Sequence, residues 1–125
     1  MSNEQTVQEI KKAIGAHGAW KLKLRTAITT GRSEATPADV RCDDKCEFGK
    51  WMYGSTLDDQ IRAGKPYNVI KRLHAEFHQC ASKVLTLATS GQKDAAEDLM
   101  QTEFKDKSEI LVRALTKWRG ELESR

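Results

Sequence analysis

Apolar residues recur along this chain at alternating intervals of three and four, a spacing that predicts helix from end to end. In the first segment Val7, Ile10, Ile14, His17, Leu24 and Ile28 share one face, with Ala13, Trp20 and Ala27 on the adjacent row. The stripe predicts a helix from about Glu4 to Thr30, stopped by Gly31. Arg32 to Val40 reads as a surface loop, where Thr36-Pro37 supplies a capping residue and a proline for a short helical turn. Asp43 or Asp44 is expected to cap the next helix, through Cys46, Trp51 and Met52 to Gly54. Flanked by glycine and short of apolar residues, that helix is expected to be weakly anchored. Ser55-Thr56 opens a further short helix that ends near Gly64-Lys65-Pro66.

Two longer segments follow. Tyr67 to Ser90 places Ile70, Leu73, His74, Phe77, His78, Ala81, Val84, Leu85 and Ala88 on one face, and Gly91 closes it. Gln92 to about Leu122 carries Ala96, Leu99, Met100, Phe104, Leu111, Leu115, Trp118 and Leu122 on a stripe that becomes nearly heptad. No strand pattern, internal repeat or low-complexity tract interrupts these segments. Short links favour antiparallel neighbours. The expected fold class is therefore all-α: a single domain over residues 1–125, an antiparallel four-helix-bundle-like arrangement with a short, irregular second helical element.

Composition narrows the function. A chain of 125 residues closes one core, but cannot hold a dinucleotide-binding half with a substrate domain, or a (β/α)₈ barrel. With 38% hydrophobic and 31% charged residues it is too apolar and evenly charged for disorder. The net charge of +3 comes from scattered Lys and Arg with acids between them, so no face is built for nucleic acid. No stretch is long and apolar enough to span a membrane, and Met1 to Lys12 lacks a signal-peptide core. The expected compartment is the cytoplasm, where the three cysteines are reduced thiols or metal ligands.

All three histidines fall on inward faces of predicted long helices: His17 on the first, His74 and His78 on the third. His74 and His78 are one turn apart, with Cβ atoms about 6 Å from each other, so they can converge on one ion. Zinc proteases share that spacing but need Glu after the first His, and here position 75 is Ala. One inward His is ordinarily a satisfied core residue; three in one small core are hard to satisfy without a metal. Cys46 offers a thiol in the first turn of a short helix, where the dipole and free amides favour thiolate. Three neutral imidazoles and one thiolate form a closed tetrahedral set suited to Zn²⁺, with net charge about +1 and no open position for substrate. Cys42 competes, because Cys42, Cys46, His74 and His78 resemble a Cys₂His₂ finger. The interval of 27 residues between the pairs, where fingers use about 12, and the idle His17 count against that set. Cys80 is turned about 200° from the metal face and reads as an ordinary small residue. Gly49 would let the short helix approach another backbone, and Trp51 would wall the site from water. Trp20 and Phe77 read as plain core.

Three blocks then carry a resemblance: His17-x-x-Trp20-Lys21-x-x-Leu24, Cys46-x-Phe48-Gly49-x-Trp51 and Leu73-His74-x-x-Phe77-His78. In order, interval and aromatic neighbours they resemble the signature blocks of the CZB family, the chemoreceptor zinc-binding domain. The resemblance implies a four-helix-bundle-like zinc domain, usually homodimeric, that regulates cytoplasmic chemoreceptors or diguanylate cyclases by sensing zinc or oxidants such as hypochlorous acid. It implies His17, Cys46, His74 and His78 as ligands. The chain runs from Met1 to Arg125 without an output domain, so a free-standing copy would act through a partner.

The expected function is thus a non-enzymatic zinc-dependent sensor with Cys46 as its redox-sensitive group and Cys42 as a second thiol one turn away. A homodimer is expected because Leu22 lies off the main stripe and Trp118 near the C-terminus exceeds what one small bundle covers. Two alternatives compete. One is a structural dimerisation bundle in which zinc is only a staple. The other is a hemerythrin-like di-iron carrier, which needs more His and inward carboxylates than Glu76, Asp94 and Glu97 supply.

Overall fold

The computed structural model describes residues 3–54 and 57–124. Helix α1 spans Asn3–Thr30. Three short helices follow: α2 over Pro37–Arg41, α3 over Glu47–Tyr53 and α4 over Asp59–Ala63. Helix α5 covers Lys65–Thr89. The last helix is continuous but changes pitch: α6 over Lys93–Leu99, a π-helical stretch over Met100–Phe104, and α7 over Lys105–Glu123. No strand occurs among the described residues, and no helix there is long and apolar enough to cross a membrane. The fold is an all-α bundle.

Helices α1, α5 and α7 pack on one another, α2 lies on α5, and α3 on α1. Ile10, Leu24, Phe77, Phe104, Leu111 and Leu115 fill the space between the long helices. The two long helices α1 and α5 stop at glycines with positive φ, Gly31 at 72° and Gly91 at 80°, a conformation that costs other residues steric strain. Only residues 90–92 separate α5 from α6, so the two helices must turn back along each other.

Several sequence expectations need correction. The short turn expected at Thr36-Pro37 forms as α2, with the Thr36 hydroxyl accepting from Asp39 N at 3.2 Å, but Val40, expected on a surface loop, is buried. Helix α3 is capped neither by Asp43 nor by Asp44 but by Cys46. It is also firmly seated, since Phe48 and Met52 are buried. Ser55-Thr56, expected to open the following helix, lies outside the described residues; Asp58 caps α4, accepting from Gln60 N at 2.7 Å. Helix α5 begins at Lys65 rather than Tyr67, with Pro66 in the first turn, where a missing N–H costs nothing. Trp118, expected to be surplus apolar surface, is buried, whereas Leu22 is 70% exposed.

The π-helical stretch was not expected. Ala96, Met100 and Phe104 follow one another at steps of four, and each such step drifts about 40° on an α-helix. The wider π turn takes up that drift, so all three side chains stay buried.

Candidate metal centre

His17, Cys46, His74 and His78 each offer a ligand atom, and these four atoms lie within 4.8 Å of one another. Helix α1 brings His17, α5 brings the His74/His78 pair, and the N-terminus of α3 brings Cys46. The three imidazoles have 2% or less of their surface exposed. Cys42 stands apart from the cluster, its thiol donating weakly to the Ala38 carbonyl oxygen at 3.5 Å. Cys80 is buried elsewhere in the core.

Backbone contacts determine which ring nitrogen carries each proton. His17 Nδ1 lies 2.8 Å from the Ala13 carbonyl oxygen, and His78 Nδ1 lies 2.9 Å from that of Val40. A carbonyl oxygen only accepts, so both rings are protonated at Nδ1 and present bare Nε2 lone pairs. His17 Nε2 is buried with no hydrogen-bond partner. His78 Nε2 lies 3.1 Å from His74 Nε2, which lies 3.3 Å from Cys46 Sγ. Lone pairs crowded in this way repel unless a proton or a cation lies between them. One cation satisfies all of them at once, the orphaned His17 Nε2 included.

Electrostatics support the same conclusion. Burial holds His17 down to about 4, and burial with the neighbouring imidazoles holds His74 lower still. His78 is lowered by burial too. All three rings are neutral at pH 7, the form that binds metal. Cys46 departs from expectation. Its thiol accepts from Gly49 N–H at 3.3 Å, yet burial outweighs the amides and raises its pKa above the ordinary thiol value. The thiolate therefore needs the charge of a cation.

The walls of the site are aromatic. Phe48 meets His17 and His74 edge-on, with centroids at 5.9 and 5.2 Å, and Phe77 meets His17 at 5.1 Å. Phe77 is thus both core and site wall. Trp51, expected to shield the metal, stacks behind Phe48 at 5.6 Å and so lies one layer out. Trp20 is half-buried beneath Lys23 Nζ, 4.8 Å from the ring centroid. Gly49 meets its expectation closely: a Cβ there would lie 1.8 Å from the Asp43 carbonyl oxygen. The donor set is three nitrogens and one sulfur with no carboxylate. Glu76, a carboxylate weighed for a di-iron site, is engaged by Lys107 Nζ at 2.9 Å instead.

Two kinds of participant escaped the sequence. The Ala13 and Val40 carbonyls that set the tautomers are backbone atoms and leave no residue signature. Asp43, expected only as a cap, places Oδ2 3.9 Å from His74 Nδ1.

No curated protein and no solved structure is significantly similar to the chain. Residues 17–85, more than half of the chain and the stretch that holds all four clustered donors, match the chemoreceptor zinc-binding domain, and the chain belongs to that family.

Proposed function

We propose that this chain is a zinc-binding regulatory sensor domain, with His17, Cys46, His74 and His78 as the four ligands. One observation carries the reading: three Nε2 atoms and one thiol converge, and the His17 nitrogen has no other partner. Zn²⁺ prefers a tetrahedral N/S set with bonds of about 2.0–2.3 Å; the Cys46–His74 and His74–His78 donor pairs, 3.3 and 3.1 Å apart, suit that directly, and all four donors lie within 4.8 Å of one another. When bound, the ion supplies the positive charge that holds Cys46 as thiolate. Four protein donors leave no open position, so the reading is regulatory rather than catalytic.

The domain is taken to span residues 1–125, because α7 packs on α1 and α5. It acts in the cytoplasm on a chemoreceptor or diguanylate cyclase, as a homodimer whose contact includes the exposed Leu22 and Ile110. The stimulus is an oxidant reaching Cys46. Hypochlorous acid converts the thiolate to sulfenic acid and releases chloride. Condensation of that sulfenic acid with the Cys42 thiol forms a disulfide and releases water, making the change reversible. Cys80 is a poorer target, since burial pushes its thiol up to about 11.

The staple reading also has support, because buried Phe48 and Met52 seat α3 without help from the metal. Metal analysis of protein purified without added metal, then limiting hypochlorous acid with mass spectrometry and hydrogen exchange over residues 41–54, separates the two. The sensor reading expects one zinc per chain, oxidation of Cys46 before Cys80, and faster exchange across that segment. Iron in place of zinc refutes the assignment. Oxidation without a change in exchange leaves zinc a staple, and a folded, zinc-loaded monomer by sedimentation at tens of micromolar removes the dimer.

A further inference from the structure

A cation on Nε2 of His74 requires the neutral ring to carry its proton on Nδ1. That atom is buried and has no hydrogen-bond partner. The Ala13 and Val40 carbonyls serve the corresponding atoms of His17 and His78, so His74 is the one imidazole of the cluster whose outer nitrogen is unserved. The acidic oxygen facing it is Asp43 Oδ2, at 3.9 Å, about 1 Å beyond a hydrogen bond. Among the described residues no other carboxylate stands at ion-pair range of these rings.

Asp43 is itself held in place. The Tyr53 hydroxyl, from the end of α3, donates to the same Oδ2 at 2.5 Å. Lys71 of α5 sits over the Tyr53 ring, 5.6 Å from its centroid. The Asp43 carbonyl oxygen packs against Gly49. Charge points the same way: a divalent cation with one thiolate and three neutral imidazoles keeps about one positive charge in a buried site, which an adjacent carboxylate offsets.

We propose that Asp43 is a positioning residue of the metal centre, its carboxylate accepting the Nδ1–H of His74 while Tyr53 holds it in place. It thereby orients the His74 ring and balances the residual charge of the site. The inference rests on the zinc reading above.

The test compares wild type with Asp43→Ala, Asp43→Asn and Tyr53→Phe. Zinc affinity is measured by chelator competition, and the imidazole N–H protons of the zinc-loaded protein are followed by ¹⁵N-edited NMR. Asp43→Ala should weaken zinc binding by about 10–100-fold and remove or shift the His74 N–H signal alone, leaving those of His17 and His78 in place. Asp43→Asn keeps an acceptor and should retain the signal with an intermediate loss of affinity. Tyr53→Phe should give a smaller loss, and with Asp43→Asn it carries the test should Asp43→Ala fail to fold. Wild-type affinity in all three variants, or an unmoved His74 signal in Asp43→Ala, overturns the assignment. Wild type that takes up no zinc overturns the zinc reading itself, which is a separate outcome.

Discussion

His78 Nδ1 donates to the carbonyl oxygen of Val40 at 2.9 Å, joining helix α5, which carries two of the clustered donors, to the last turn of α2. The other end of α2 is tied to α5 by the Ser82 hydroxyl, which donates to Pro37 O at 2.7 Å. A cation on His78 Nε2 withdraws charge from the ring and strengthens the Nδ1–H donor. Zinc loading is therefore expected to slow hydrogen exchange across residues 37–42 and to leave α4 unchanged. Mass-spectrometric exchange with and without a chelator checks this, and equal rates in α2 would contradict it.

Removing one of the four donors should cost more affinity than removing a group that only hydrogen-bonds a donor's imidazole, which is worth about 10–100-fold. His17→Ala is the sharpest case, because its Nε2 has no other partner to lose. Cys80→Ala, outside the cluster, should leave zinc affinity unchanged. Chelator competition on both variants decides it; equal affinities would remove His17 from the ligand set.

Acid should destabilise the metal-free protein. The native state holds His17 neutral down to about 4 and lowers His74 and His78 as well, against an ordinary value of 6.5. The unfolded chain takes up protons below about 6.5, so their contribution is complete above that pH and lost as pH falls towards the native values. His17 alone accounts for about 3 kcal/mol between the two limits, at about 1.4 kcal/mol per pH unit. Urea unfolding at several pH values with chelator present measures it, and a flat profile from about pH 6.5 to 4 would be the contrary result.

Gly49 and Gly18 should respond oppositely to alanine. A Cβ at Gly49 meets the Asp43 carbonyl oxygen at 1.8 Å, whereas one at Gly18 meets nothing within 4 Å. Gly49→Ala must displace the segment leading to Cys46, with loss of both stability and zinc affinity. Gly18→Ala, in the interior of α1, should stabilise by about 0.5–1 kcal/mol through helix propensity. Thermal unfolding and metal titration check both; a neutral Gly49→Ala would show that the close approach is dispensable.

Local spacing in the sequence determined the long helices and the inward faces of the three histidines, whereas Cys46 as the fourth donor came from the resemblance carried by Cys46-x-Phe48-Gly49-x-Trp51. Apolar steps of three and four place His17, His74 and His78 on buried faces whatever the neighbours are, and a glycine after α1 and after α5 ends each helix by backbone geometry. Helix α2 was legible through its cap and proline, Thr36-Pro37, though not the burial of Val40; the π turn was hidden, since a pitch change depends on which side chains must remain inside. Tertiary structure decided the rest. Only folding brings the Val40 carbonyl to His78 and Asp43 to face His74, contacts across 38 and 31 positions of chain. Tautomer, charge balance and the contest between burial and helix cap at Cys46 belong to the assembled site, because each depends on distances between groups from different helices.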